Sequence, residues 1–307
     1  MARFRASFGR ILTIGGLTAA TSSVAVYNAF VTDRASAQSP ILDAPVETLE
    51  ERLKAKQWDS DWDRRNFGDI KRIIASKNLN VIDDTVLKKN FSVESDSSSG
   101  EEDATEDKIK KPKATRHLIF VRHGQYNSGK SDDEKTLTDL GRKQAINTGN
   151  RLKSLNIKFD RIVHSTMTRA KETAELIKES LDDVSCESCS LLREGAPCPP
   201  EPSSSSNWKP ERWEYFQDGS RIEAAFRKYI HRADVKQTND SHELIVCHAN
   251  VIRYFVCRAL QFPPEGWLRM SIANCGLTQL TIRPNGRVSL KSLGDAGHLP
   301  PDQITFK

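Results

Sequence analysis

A three-layer α/β/α fold with a mostly parallel central sheet is predicted by two features of this chain. Apolar runs of strand length alternate with segments whose apolar residues fall at helical spacing. The runs end in polar, titratable residues rather than fading into loops. In open α/β sheets, ligands bind at the carboxyl ends of strands, so these endings are the first place to look for chemistry.

The first run, His117 to Val121, is followed by Arg122-His123-Gly124, with Gln125 and Asn127 continuing into a turn. Gly124 permits close approach of backbone to a ligand. Thr138 reads as the cap of a helix carrying Leu140, Ala145, Ile146 and Leu152 at helical spacing, slightly weakened by Gly141. The run Arg161 to Val163 ends in His164-Ser165-Thr166 and enters a helix whose first turns carry Arg169. A Gly/Pro turn, Leu191-Leu192-Arg193-Glu194-Gly195-Ala196-Pro197, offers one carboxylate. A polar loop from Ser203 to Asn207 precedes Trp208-Lys209-Pro210 and a helix over Ile222, Ala225, Phe226, Tyr229 and Ile230, an insertion placed to lie over the site. Leu244 to Cys247 runs into His248-Ala249-Asn250 and a helical pattern of Val251, Ile252, Phe255, Val256 and Leu260. Helix N-termini favour anions. Leu277 to Ile282, Pro284-Asn285-Gly286 and Val288 to Leu293 read as a hairpin at the edge of the sheet.

The full chain has 307 residues and a net charge of +5, with basic and acidic residues interspersed through the later part. No nucleic-acid stripe emerges from that distribution. The length suits one domain of about 190 residues behind a preface. The six cysteines are scattered apart from Cys186-Glu187-Ser188-Cys189, which has no second pair to complete a metal site, so free thiols are expected.

The preface divides at 1–35 and 36–110, with the catalytic domain at 111–307. Residues 1–30 contain Arg3, Arg5 and Arg10, have no acid before Asp33, and include an apolar stretch from Ile11 to Val31 long enough to span a bilayer. A secretory signal ending at Ala35-Ser36-Ala37 and a mitochondrial address fit the same composition. Trp58-Asp59-Ser60-Asp61-Trp62-Asp63 follows, and on a helix its two tryptophans would share one face. Residues 94–107 hold seven acids and no base, the composition of a disordered linker, and the basic run Lys108 to Arg116 leads into the domain.

Two arginines, two histidines and one glutamate, in the order Arg-His-Gly, Ser-x-x-x-Arg-Ala-x-x-Thr, Glu, His-Ala-Asn, resemble the histidine phosphatase superfamily, from about Arg116 onward. The resemblance implies that His123 is the nucleophile, Glu194 the general acid that later activates water, and Arg122, Arg169 and His248 the phosphate clamp. Neutral imidazole suits that first role, because it is available at neutral pH without prior deprotonation. Planar guanidinium forks suit the clamp, and no metal or other cofactor is called for.

The preface and the strings Leu191 to Pro197, His231-Arg232-Ala233-Asp234, Val246 to Tyr254 and Ala259 to Leu268 resemble a narrower group, the mitochondrial protein-phosphatase branch of the phosphoglycerate mutase family. This implies phosphoserine and phosphothreonine proteins as substrates, a stress-activated kinase among them. It also implies a mitochondrial single-pass anchor, with the outer membrane favoured over the inner, and a homo-oligomer built through Trp58, Asp59, Trp62 and Asp63. The branch has asparagine where this chain has Asp61. The resemblance to an adaptor-binding sequence at Ser99-Gly100-Glu101-Glu102 is slight.

Two other readings compete. A phosphoglycerate mutase or small-molecule phosphatase would share the site, but the mutases of the family carry Glu-Arg-His-Tyr-Gly around the acid, where this chain has Arg193-Glu194-Gly195-Ala196-Pro197. A scaffold gathering partners through the tryptophan motif and the acidic linker would not need all five site residues.

Overall fold

The computed structural model describes residues 57–64, 111–204 and 208–306. In chain order the elements are β1 (Arg116–Arg122), α1 (Asp139–Ser154), β2 (Arg161–Ser165), α2 (Thr168–Lys178), β3 (Ser185–Cys189), α3 (Arg212–Tyr229), β4 (Ser241–Cys247), α4 (Ala249–Ala259), β5 (Leu277–Ile282) and β6 (Val288–Asp295). One six-stranded sheet has the order β3-β2-β4-β1-β5-β6. Its β1–β4, β2–β4 and β2–β3 pairings are parallel, while β5 pairs antiparallel with both β1 and β6. The sheet is therefore mixed: a parallel centre carries the expected hairpin at one edge. β3 closes the other edge, and no sequence pattern announces it, because Ser-Cys-Glu-Ser-Cys has no apolar run.

Both faces of the centre are covered. Leu118, Phe120, Ile245 and Cys247 pack with Ile222 and Phe226 of α3 and Val251 and Phe255 of α4. Ile119, Val121, Leu244 and Val246 pack on the opposite face with Leu152 of α1 and Ala174 and Ile177 of α2. Alternate residues of one strand feed opposite layers, so Leu118–Val121 of β1 and Leu244–Cys247 of β4 must all be apolar. The same alternation separates Cys186, which packs with the second layer, from Cys189 in the first. All six cysteines are free.

Thr138 caps α1 as expected, its hydroxyl accepting from Gly141 N–H at 3.0 Å. Two details of that helix differ from expectation. Ile146 is exposed, and the buried stripe runs instead through Gly141, Gln144, Ala145, Thr148, Gly149 and Leu152. Gly141 is a requirement rather than a weakness, because a Cβ there would strike the carbonyl of Gln125 in the turn after β1.

At the amino ends of the central strands, the Glu243 carboxylate accepts from Arg116 Nε at 2.8 Å and from Arg161 Nε at 2.9 Å. Burial opposes the Glu243 charge, but Arg116 and Arg161 together hold its carboxyl below the usual carboxylate range. Arg116 also donates to the carbonyls of Tyr229 and His231, which fastens the end of α3 to the sheet.

The tryptophan motif forms a turn rather than a helix. Asp59 Oδ1 accepts from Asp61 N–H, and that local bond replaces the helical ladder. Trp62 is buried, with its Nε1–H donating to Gly286 O at 2.8 Å, whereas Trp58 remains at the surface. Asp63 and Asp61 receive the guanidinium of Arg232, and Gln261 bonds both the N–H and the carbonyl of Asp59. Among the described residues no helix is long and apolar enough to cross a membrane. The anchor expected at 1–35 and the acidic stretch at 94–107 lie outside those residues.

Glu243→Ala would leave Arg116 as an unpaired buried cation, and removing one partner of such a pair costs about 3–5 kcal/mol. Urea denaturation of the two proteins is expected to differ by that amount. A change under about 1 kcal/mol, the value of a surface pair, would show that the network is solvated.

Candidate active site

The parallel pairing of β1, β2 and β4 brings their carboxyl ends together, and the chain places a functional group just beyond each. In the β1–β4 register Arg122 lies opposite Cys247, so His123 and His248 leave the sheet side by side, with ring centroids 5.1 Å apart. Arg169 projects from the first turn of α2, just after β2. Glu194 follows the short 3-10 turn Ser190–Leu192 beyond β3. The structure thus assembles all five expected residues in one pocket. Arg122, His123, Arg169 and His248 are buried, and the Glu194 side chain is about one quarter exposed, at 26%.

Each side chain is fixed by identifiable bonds. His123 Nδ1 lies 2.8 Å from the carbonyl of Gly124, which can only accept, so the ring proton sits on Nδ1. The Nε2 lone pair then faces the pocket, where it accepts from Arg169 Nε at 3.2 Å. Burial, with Arg169 and Arg122 beside the ring, depresses the His123 pKa well below that of a free imidazole. The ring is therefore neutral, the protonation state a nucleophilic imidazole needs. Arg122 is held from behind, Nη1 donating to Ile272 O at 2.7 Å and to Phe306 O at 3.0 Å. Burial also keeps His248 neutral, with His123 and Arg169 next to it. Burial raises the Glu194 pKa, against the opposing pull of Arg169 and Arg122.

Three buried nitrogens, Arg122 Nε, Arg169 Nη1 and His248 Nδ1, have no hydrogen-bond partner in the protein, although Arg169 Nη1 is ion-paired with Asp132 Oδ1 at 3.6 Å. Leaving a buried donor unsatisfied is costly, and a tetrahedral oxyanion would satisfy the two guanidinium nitrogens. His123, Glu194 and His248 also bring ligand atoms within 4.8 Å of one another, a donor set that could hold a metal. Arg169 and Arg122 place two positive charges beside that donor set, so the pocket favours an anion over a cation.

The sequence comparisons agree with this geometry. Residues 118–295 match the profile of the histidine phosphatase superfamily, branch 1. The chain belongs to that superfamily. It is 54% identical over 250 residues to a human protein named serine/threonine-protein phosphatase PGAM5, mitochondrial, covering 81% of this chain and 80% of that one. The protein of the same name from Caenorhabditis elegans is 46% identical over 260 residues, covering 84% of each chain. Among solved structures, a phosphoglycerate mutase from Plasmodium falciparum is 36% identical, with a TM-score of 0.45, covering 63% of this chain and 99% of that one.

Several residues support this superfamily site without having been assigned a role from sequence. The Thr173 hydroxyl accepts from Gly124 N–H at 3.0 Å and donates to Arg169 O, tying α2 to the turn that carries His123. Tyr126 packs edge-on against His123 and lies under the Arg169 guanidinium. Asn250 N–H donates to Glu194 Oε1 at 3.2 Å, and its side chain donates to Gly195 O. Arg221 of α3 donates to the carbonyls of Leu191, Arg193 and Glu194, and its partner Asp218 accepts from Ala196 N–H. Thr173 and Asn250 belong to the recognised strings, but nothing near Glu194 in the sequence points to Arg221.

The two displaced pKa values predict a bell-shaped pH profile. Neutral His123 should persist below about pH 6.5, where a free imidazole protonates, so the acid limb of kcat/KM should lie lower than that. Protonated Glu194 should be lost as pH rises through its elevated pKa, which gives the alkaline limb. Glu194→Gln should abolish that limb and slow turnover by about 10²–10⁴-fold. An alkaline limb that survives the substitution would assign it to another group.

Proposed function

We propose that this chain is a mitochondrial serine/threonine protein phosphatase working through a phosphohistidine intermediate. The observation that carries the mechanism is the meeting, in one buried pocket, of the His123 lone pair with two guanidinium groups that each keep a buried N–H without a hydrogen-bond partner. The names of the human and nematode relatives support the substrate class and the compartment.

His123 Nε2 attacks phosphorus in line with the leaving serine or threonine oxygen, forming a P–N bond as the P–O bond breaks. Arg122, Arg169 and His248 hold the phosphoryl oxygens, whose charge needs fixed donors in a dry pocket. Protonated Glu194 gives its proton to the departing alkoxide. Now a carboxylate, it takes a proton from the water that attacks the phosphohistidine, releasing phosphate and restoring both groups. His123 begins and ends with its proton on Nδ1, bonded to Gly124 O. No metal or other cofactor enters these steps.

The acid-bearing loop favours protein phosphoesters over mutase action. It reads Arg193-Glu194-Gly195-Ala196-Pro197 and supplies one half-buried cation, Arg193, already drawn toward Thr166 and Asp132. A membrane anchor at 1–35, in the outer rather than the inner mitochondrial membrane, completes the proposed arrangement. Assembly through Trp58, Asp59, Trp62 and Asp63 belongs to the same proposal. In a single chain Trp62 and Asp63 brace the hairpin and Arg232, while the exposed Trp58 is free to meet a second copy.

A phosphothreonine peptide offered to the chain from Lys54 onward should release phosphate, and His123→Ala should lose that activity. Turnover of phosphoglycerate with its bisphosphate primer beside an inert peptide would instead assign the pocket to a small-molecule substrate. In light scattering, Trp58→Ala should shrink the particle and lower activity. An unchanged mass would remove the motif from assembly.

A further inference from the structure

His123 is held at Nδ1 by a carbonyl and at Nε2 by Arg169, whereas His248 is held at Nε2 alone. His123 faces a carbonyl, so its proton position follows directly. His248 Nε2 faces the hydroxyl of Ser165 at 2.8 Å, a group able to donate or accept. Which nitrogen of His248 carries the proton therefore depends on which way that hydroxyl points.

Three observations set the direction. Ser165, the last residue of β2, is wholly buried, and its Oγ already accepts from Met167 N–H at 3.3 Å. Among the described residues, His248 Nε2 is the one acceptor within bonding distance of the hydroxyl proton. On the opposite side of the ring, His248 Nδ1 is buried, unpartnered and 4.0 Å from Glu194 Oε2. A lone pair at that nitrogen would be turned toward the phosphoryl oxygens of the proposed reaction, whereas a proton there would meet acceptors.

We propose that Ser165 is a positioning residue that donates its hydroxyl proton to His248 Nε2, holding the imidazole's own proton on Nδ1 and making His248 a donor to the transferring phosphoryl group. No proton moves in this role. The serine fixes a tautomer before the substrate arrives, so no reorganisation is needed during the reaction. The catalytic consequence rests on the phosphatase reading above, whereas the tautomer itself does not.

The test uses the full chain with ¹⁵N-labelled histidine, read by solid-state NMR, which does not depend on particle size. His248 signals would be identified by their loss in His248→Asn. Turnover of p-nitrophenyl phosphate would be measured on the same samples. The wild type should carry the His248 proton on Nδ1. Ser165→Ala should move it to Nε2 and lower kcat by about 10²-fold, the usual loss when one transition-state donor is removed. Ser165→Thr keeps the hydroxyl and should restore both readings. A wild-type His248 protonated on Nε2, or an Nδ1 proton that survives in Ser165→Ala, would overturn the proposal. If the wild type failed to turn over the phosphoester, the phosphatase reading would fall while the NMR still decided the tautomer.

Discussion

The alignment of β1, β2 and β4 at their carboxyl ends is the constraint on which the rest depends. A slip of one residue would send every side chain of a strand to the opposite layer and move its terminal residue out of the pocket. Apolar character cannot guard against such a slip here, because β1 and β4 are apolar toward both layers. Polar contacts at the other end of the sheet can. Arg161 lies directly opposite Glu243, and Arg116 reaches the same carboxylate, so this network holds the three strands level. A slipped strand would lose a buried ion pair as well as its packing.

Burial then acts on the ionisable groups of the pocket in opposite directions. It disfavours charge, so it depresses the two histidines and raises the glutamate. The result is a neutral imidazole beside a carboxyl inclined to keep its proton, the pair that the proposed phosphohistidine mechanism uses. The guanidinium groups remain charged because arginine does not deprotonate in proteins. Main-chain carbonyls of Ile272 and Phe306 compensate Arg122 from behind. Its Nε remains unpaired, a cost that an oxyanion could offset.

The acid loop is organised differently from the strand ends. Nothing in the sheet positions Glu194, which sits between a 3-10 turn and a glycine. Arg221 gathers three of the loop's carbonyls, and Asn250, at the start of α4, bonds both Glu194 and Gly195. At Gly195 a Cβ would run into the Asp218 carboxylate and the Arg221 guanidinium, so a larger residue there would displace the pair that holds the loop. The acid is thus placed by two helices that follow it in the chain. His123 and His248 are placed mainly by the strands that precede them.

Much of this architecture is legible in the order of the residues alone. Apolar runs identify β1, β2, β4 and the hairpin because a buried strand must be apolar, and the polar residues ending those runs mark the pocket. Thr138 identifies its helix because the first helical N–H groups need an acceptor. β3 is hidden because an edge strand with exposed faces needs no apolar pattern. Ile146 misleads because spacing alone cannot tell which stripe of a helix meets the core when Gln144 and Thr148 have partners waiting there. The two tryptophans suggest a helix face, but the Asp59 side chain makes a turn the better local solution. The amino-acid sequence by itself determined the chemical kinds in the pocket: two guanidinium groups, two imidazoles and one carboxyl. Only the tertiary structure decided which nitrogen of His123 faces the ligand and which distant residues hold Glu194. Those choices depend on hydrogen bonds between segments far apart in the chain, which local pattern does not encode.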